Sequence, residues 1–187
     1  MTNATTRRAT LLGALALLAP AAAHAQDRFF VHIAQTPTTD VAARPDGDVL
    51  EVAAAAGQFQ TFLRAAEVAG YRETLRGEGP FTIFAPTDTA FRSMGERELS
   101  RLLRPASHEE LLALLAYHVV PGRLTSANMQ GRVARAEAAS GYRLQIDGRD
   151  GLRVNDQLVV MPDLEARNGV IQSVNTVLTP PVLVASR

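Results

Sequence analysis

A few side chains in this 187-residue chain are of the types that carry out acid–base or nucleophilic chemistry. Tyr117 and His118 place a phenol beside an imidazole, and Thr87 and Asp88 place a hydroxyl beside a carboxylate. Both pairs also have structural explanations. A histidine at the end of a helix is most often buried and hydrogen-bonded to the backbone, and Thr-Asp suits the first positions of a helix, where free amides favour oxygen acceptors. We therefore interpret all four residues as mainly structural.

Other candidate sites lack the spacing that their chemistry needs. His108-Glu109-Glu110 has the composition of a metal site, but adjacent helical residues point in different directions, so a solvent-exposed first turn is expected. His24 and His32 add no zinc-like spacing, and Ser173 lies in a predicted strand without a recognisable base. The sequence contains no Gly-x-Ser-x-Gly elbow, phosphate loop or His-Glu-x-x-His helix. We expect no catalytic residue, no metal site and no cofactor.

Composition limits the stabilising devices and the partners. The chain has no Cys, which excludes disulfides, a thiol nucleophile and a lipidated cysteine. All 19 basic residues are Arg, matched by 19 Asp and Glu. Loss of a leader containing Arg7 and Arg8 leaves 17 basic against 19 acidic residues, a net charge of −2. This balance argues against generic attraction to nucleic acid or to anionic lipid.

The first 25 residues have the pattern of a cleaved signal peptide. Arg7 and Arg8 precede the apolar run Leu11 to Ala23, and Ala23-His24-Ala25 supplies the small residues of a cleavage site. The run of about 13 apolar residues is too short to span a bilayer, so no stable membrane insertion is expected after cleavage. Thr6-Arg7-Arg8 is also typical of twin-arginine export, and the sequence leaves that route and ordinary secretion open. Either route predicts a periplasmic or extracellular protein.

The mature chain is predicted to form one domain behind a flexible arm. Residues 26–47 contain two prolines and a polar run, which predicts a linker with one short edge strand over residues 29–33. From Asp48, a predicted N-cap, helical periodicity extends to Gly70 and is followed by a short piece over residues 71–75. Further helices are predicted over residues 96–103 and 107–117, the last with Ser107 and Glu110 as a capping box.

A sharp strand-to-helix corner follows Gly79-Pro80. Phe81 to Phe84 favour a strand, Pro86 ends it, and Thr87 caps a helix that carries Phe91. We expect Phe84 and Phe91 to share one core.

Beyond Pro121 apolar residues recur at every second position, the spacing that is typical of β-strands. Strands are predicted over residues 132–136, 142–146, 152–154, 158–161 and 170–178. Asp147-Gly148, Asp150-Gly151 and Asn155-Asp156 are turn pairs, so consecutive strands should form antiparallel hairpins. Helices followed by a β-meander predict an α+β fold.

Three ordered segments of the chain resemble the signature blocks of the fasciclin domain family. They are Thr82 to Phe91, Tyr117 to Gly122, and Asn168 to Leu178. The resemblance implies a compact antiparallel β-sandwich flanked by N-terminal and central helices over residues 48–187, in a secreted or surface-attached protein often associated with adhesion. Family members commonly carry a His and an Asp where this chain has Gln172 and Asn175. The acidic residue has been linked to receptor binding in animal members, and this chain lacks it.

Two classes of function are compatible with these features. The first is an exported, non-enzymatic module that binds a surface protein or glycan, as a monomer and without nucleic acid. Its exposed loops are expected around residues 122–128 and 148–150. The family-motif residues that are mainly structural and also candidates for binding are Thr87, Asp88, Tyr117, His118 and Asn175. The second is a small-ligand carrier or hydrolase with a pocket near Thr87, Tyr117 and His118. A buried His118 favours the first class, and an exposed His118 in a cleft favours the second. A third possibility is a structural spacer with no specific partner, which would show no apolar surface patch.

Overall fold

The computed structural model of the protein describes residues 46–181. The predicted signal peptide, His24, His32 and the strand over residues 29–33 lie outside this range, as does nearly all of the predicted arm. Within the range the chain forms seven α-helices and seven β-strands. The expected α+β class is confirmed.

The first helix of the described region begins where the sequence supplies a cap. The Asp48 carboxylate accepts hydrogen bonds from the amides of Leu50 and Glu51, and the Glu51 side chain accepts one from the Asp48 amide, which completes a capping box. The helices are α1 (Val49–Ala56), α2 (Gln60–Val68), α3 (Arg72–Arg76), α4 (Asp88–Met94), α5 (Glu96–Leu102), α6 (His108–Tyr117) and α7 (Ser126–Met129). All but the short α7 correspond to predicted helices.

The capping box predicted for α6 is wrong. A 3-10 turn over Pro105–Ser107 leads into the helix, and the Ser107 side chain makes no cap hydrogen bond. Glu110 instead accepts two hydrogen bonds of 2.6 Å from the guanidinium of Arg101 on α5. The bidentate pair makes two charge-assisted hydrogen bonds where a capping box would give the Glu110 carboxylate one, so the carboxylate joins two helices rather than closing one.

The strands form one mixed sheet in the order β2-β1-β7-β6-β5-β4-β3. They are β1 (Phe81–Pro86), β2 (Val119–Pro121), β3 (Val133–Glu137), β4 (Arg143–Asp147), β5 (Arg153–Val154), β6 (Gln157–Ala166) and β7 (Gly169–Val174). Strands β3 to β7 pair antiparallel in sequence order, as the turn pairs predicted. The pairing of β1 with β7 is parallel and was not predicted.

The sheet separates two apolar cores. Ile83 and Ala85 on β1 pack with helices α1 to α6, whereas Phe84 faces the other way and packs with Leu144, Ile146 and Val174. Phe91 on α4 belongs to the helical core. The expectation that Phe84 and Phe91 share one core is therefore wrong, because successive strand residues point to opposite faces.

The far edge of the sheet curls back toward its start. The amide of Ala139, just after β3, donates a 2.7 Å hydrogen bond to the carbonyl of Val119 on β2. The strands β3 to β6 therefore cover one face of the β1–β7 pair while the helices cover the other. This arrangement is a sandwich with helices outside it.

Asn168, just before β7, forms hydrogen bonds with three parts of the fold: α1, the end of α3 and the start of β1. Its Oδ1 accepts from the amide of Val49 at 2.9 Å, and its Nδ2 donates to the carbonyls of Leu75 and Gly77 at 2.9 and 3.0 Å. The Asn168 carbonyl accepts from Phe81 at 3.0 Å. The backbone approaches so closely that a Cβ at Gly79 would overlap the Asn168 carbonyl.

Candidate partner-binding surface

His118 lies in the interior with both ring nitrogens engaged. Its relative exposure is 0%. The Nδ1–H donates to the Leu114 carbonyl at 2.8 Å, since the Nε2 atom accepts from the amide of Leu178 at 2.9 Å. Burial lowers the pKa of His118 to about 4, although the Leu114 hydrogen bond opposes that shift. The ring is neutral near pH 7 and has no nitrogen left for a substrate.

Tyr117 is also buried and serves as an anchor for a hairpin. Its hydroxyl accepts a 2.8 Å hydrogen bond from the Asn155 side chain, and its ring meets that of Tyr142 edge to face at 6.3 Å between centroids. Asn155 and Asp156 both have positive φ in the tight turn between β5 and β6. Asn and Asp tolerate that conformation better than most residues.

Thr87 and Asp88 cap two different helices. The Thr87 hydroxyl accepts from the amide of Ala90 at 3.2 Å, as predicted for the N-cap of α4. The Asp88 carboxylate reaches across to α2 and accepts from the amides of Thr61 at 2.7 Å and Gln60 at 3.4 Å. Asp88 thus stabilises the positive end of a neighbouring helix, which its position in the sequence did not indicate.

Asn175 is the one exposed member among the five family-motif residues. Its Oδ1 accepts a long 3.4 Å hydrogen bond from the hydroxyl of Thr176. The preceding carbonyl, of Val174, accepts from the amide of Thr87, so Asn175 lies beside the start of α4. Tyr117 and His118 lie in the interior, whereas Asn175 is exposed, so the five residues do not form one surface site.

The expected loop over residues 148–150 lies against residues 129–132, which follow the other expected loop, over residues 122–128. The Gly148 carbonyl accepts from Gly131 and its amide donates to Arg132, both at 2.8 Å. A Cβ at Gly148 would overlap the Met129 carbonyl, so this close contact requires glycine. A depression of about 360 Å³ between the loops is lined by Ser126, Ala127, Gln130, Gly148, Arg149, Gly151 and Leu152.

A polar network supports one wall of this depression. The Asp163 carboxylate accepts from the Ser126 hydroxyl, from the Ser126 amide at 2.9 Å and from the Gln172 side chain at 2.8 Å. Gln172 is fully buried and also donates to the Leu124 carbonyl at 2.9 Å. Burial opposes ionisation of Asp163, but the hydrogen bonds outweigh it and hold the pKa of its carboxyl below the usual value.

Strand β6 carries an apolar strip to the surface. Leu158, Val160 and Met161, which we name the β6 strip, are 40%, 48% and 40% exposed. The register of β6 against β7 shifts on both sides of Met161. A bulge of this kind interrupts the alternation of buried and exposed residues, so neighbouring apolar side chains are left in water.

The β6 strip is continuous with the loops. A Cβ built at Gly151 would contact the Leu158 side chain at 3.9 Å, and Asp163, two residues after Met161, binds Ser126. On the other side the Gln58 amide reaches the Met161 sulfur at 3.5 Å. Sequence reasoning assigned residues 158–161 to a strand without detecting their exposure, and Pro162 was the available signal, since proline interrupts a regular ladder.

Residues 46–181 contain neither a metal-binding cluster nor a membrane-spanning helix. Within that range no three His, Asp or Glu side chains are grouped to hold a metal ion. No helix in the same range combines the length and apolar character required to cross a bilayer.

Comparison with known proteins places most of the described region in one family. The Fasciclin domain model matches residues 57–180. The chain is 40% identical over 136 residues to Protein sll1483 of Synechocystis sp., covering 72% of this chain and 74% of that protein. It is 37% identical over 138 residues to transforming growth factor-beta-induced protein ig-h3 of Sus scrofa, covering 73% of this chain and 20% of that protein.

A solved structure gives the same assignment for the fold. The FAS1 domain pair from the insect cell adhesion molecule fasciclin I matches with a TM-score of 0.62 at 18% sequence identity. The match covers 73% of this chain and 52% of that chain. At this level of identity the likeness concerns the fold alone.

Proposed function

Since the chain belongs to the fasciclin domain family, we propose that it is an exported, non-enzymatic binding module that acts at the cell surface or in the periplasm. The solved structure that matches comes from fasciclin I, an insect cell adhesion molecule, and this supports an adhesion-type role. The predicted signal peptide over residues 1–25 supports export. The protein binds its partner through the β6 strip and the adjoining loops over residues 122–128 and 148–150.

The β6 strip is the observation that carries the proposal. Three large apolar side chains that each expose 40% or more of their area lie within four residues. Burying apolar area is favourable by about 25 cal/mol per Å², and a contiguous apolar patch rimmed by polar residues marks an interaction site. A spacer without a partner would gain nothing from keeping this patch. A protein partner fits it best, because the strip offers shape and apolar area rather than charge.

The buried imidazole disfavours the alternative function. A hydrolase or small-ligand carrier using His118 needs at least one ring nitrogen in a cleft, whereas both are hydrogen-bonded to backbone in the interior. Tyr117 is bound to Asn155 in the same region. Nothing in this arrangement favours a second candidate function.

The proposal is tested by capture from cell-envelope extract with the full chain as bait. We expect a defined protein to be retained by the native chain and to be lost, by tenfold or more, with Val160→Ser/Met161→Ser. Val68→Ser is the matched control, since Val68 is an exposed apolar residue on α2. Equal retention by the native chain and the double variant would contradict the role of the β6 strip.

A further inference from the structure

A second surface, next to the β6 strip, is rich in arginine. We define the β3–β5 outer face as the side of these strands that points away from the strand core. It presents Arg135 on β3, Arg143 and Gln145 on β4, and Arg153 on β5, all exposed. The intervening residues Leu144, Ile146 and Val154 are buried, which fixes the direction of the arginines by the two-residue period of a strand.

The acidic residues of this face neutralise it only in part. The Asp147 carboxylate forms an ion pair with Arg149, which donates hydrogen bonds to it from Nη2 at 2.5 Å and from Nε at 3.1 Å. These hydrogen bonds lower the pKa of Asp147 to about 2. Glu137 lies opposite Arg143 in the ladder. Asp150 interacts electrostatically with the same Arg149. Arg135, Arg143, Arg149 and Arg153 therefore face three carboxylates, those of Glu137, Asp147 and Asp150, a local excess of one positive charge in a chain whose formal net charge is zero.

Three of the arginines keep their guanidinium groups available. Among the described residues, Arg135, Arg143 and Arg153 form no ion pair with a carboxylate. Arg153 donates to the carbonyl of Asp156 at 3.3 Å, which leaves most of its donors unused. A guanidinium has five N–H donors in a planar fork that matches a carboxylate.

The spacing of these groups suits a linear anionic chain. Arg135 is paired with Gln145, so Arg143 lies on the diagonal, roughly 7–8 Å away. Arg153 pairs with Asp147 on the next strand, and neighbouring strands lie about 4.8 Å apart. The three arginines thus spread over roughly 15 Å of one open face, a length set by these strand spacings. A single small anion would engage only one of them.

We propose that the β3–β5 outer face binds a linear polysaccharide that carries carboxylate groups on its sugars. The guanidinium groups bind the carboxylates, and the Gln145 amide, which both donates and accepts, lies between them for sugar hydroxyls. The outward positions of β3, β4 and β5 carry no aromatic side chain on which bases could stack, which disfavours single-stranded nucleic acid. This proposal goes beyond the β6 strip, because it names the neighbouring strands β3 to β5, which adjoin the strip where Arg153 pairs with Leu158, and another class of ligand.

The test uses polygalacturonate as the probe and dextran as the neutral control, with the full chain. We expect polygalacturonate to bind in low salt, binding to weaken as salt rises, and dextran not to bind. Arg135→Gln/Arg143→Gln/Arg153→Gln should weaken binding at least tenfold. The matched control is Arg64→Gln/Arg97→Gln/Arg104→Gln, which removes the same charge from exposed positions on α2, on α5 and just after α5 and should change affinity less than twofold.

Three results would overturn the proposal. The first is that polygalacturonate does not bind, and the second is that both triple variants lose the same affinity for it. The third is that poly-glutamate binds as tightly as polygalacturonate, which would assign the face to acidic polypeptides. All six substituted arginines are exposed, and unchanged melting temperatures check that both variants fold. Val160→Ser/Met161→Ser should leave polygalacturonate binding intact, so failure here is distinguishable from failure of the β6 strip.

Discussion

The imidazole of His118 accepts a hydrogen bond of 2.9 Å from the backbone amide of Leu178, and through it helix α6 is tied to the segment that follows β7. The opposite nitrogen of the ring is bound to the Leu114 carbonyl within α6. A protonated ring has no acceptor for the Leu178 amide. The contact therefore exists only while His118 is neutral.

This contact predicts that the fold weakens in acid. The pKa of His118 is about 4 in the folded protein against 6.5 for the free side chain, so between these values the unfolded chain binds more protons. The free energy of unfolding is fully retained above pH 6.5 and falls by about 3 kcal/mol as pH decreases to 4. Urea unfolding across this range measures the slope.

Two variants separate the contribution of His118 to the pH dependence of the free energy of unfolding from the contributions of the carboxyl groups. His118→Gln should lose most of the slope between pH 6.5 and 4, whereas His108→Gln, at an exposed position, should keep it. A slope that is the same in the native chain and in His118→Gln would show that other groups control acid unfolding.

Asn168→Ala should destabilise the domain strongly. The substitution removes three side-chain hydrogen bonds and leaves the Val49 amide and the Leu75 carbonyl unpaired in the interior. Unsatisfied buried groups cost about 1–3 kcal/mol each, so we expect a loss of about 3 kcal/mol or more in thermal or urea unfolding. Asn175→Ala, in the same block but exposed, should change stability by less than about 0.5 kcal/mol.

Asp88→Ala should cost about 1 kcal/mol, because α2 loses the carboxylate that accepts from two of its first amides. Asp88→Asn keeps an oxygen acceptor and should lose only the charge contribution, a few tenths of a kcal/mol. Urea unfolding of the three proteins compares the two effects. Equal losses in both variants would mean that charge, and not the acceptor, stabilises α2.

Gln172→Glu should destabilise the domain by about 3 kcal/mol at pH 7, since a buried carboxylate would face the Leu124 carbonyl and the Asp163 carboxylate. Burial raises the pKa of the new group, so the loss should shrink as pH is lowered and the carboxyl gains a proton. Gln130→Glu, at an exposed position, is the control and should be nearly neutral in urea unfolding.

Local chemistry made much of the fold predictable. The caps at Asp48 and Thr87 are formed by contacts within three residues, and the Asn155-Asp156 turn needs only residues that accept positive φ. The hairpins from β3 to β7 follow from such turns and from alternation. The three family blocks gave the right family for the same reason, since each is a short segment with fixed residue types.

Relationships across the chain were not predictable in the same way. Apolar type shows that Phe84 and Phe91 are buried, but the face of β1 that meets the helices decides which core each joins. The bulge in β6 depends on its register against β7. The loop over residues 148–150 was predicted from its turn pairs, but its contact through Gly148 with residues 129–132 exists only in the folded chain.

The parallel pairing of β1 with β7 governs when this domain can form. Phe81 lies opposite Gly169 although 88 residues separate them. The side of β1 that pairs with β7 therefore has no partner strand until β7 has been synthesised. Closing so long a loop makes folding slow and places it after synthesis of the whole domain. A chain cut short before residue 169 would expose the edge of β1, and such an open apolar edge invites aggregation.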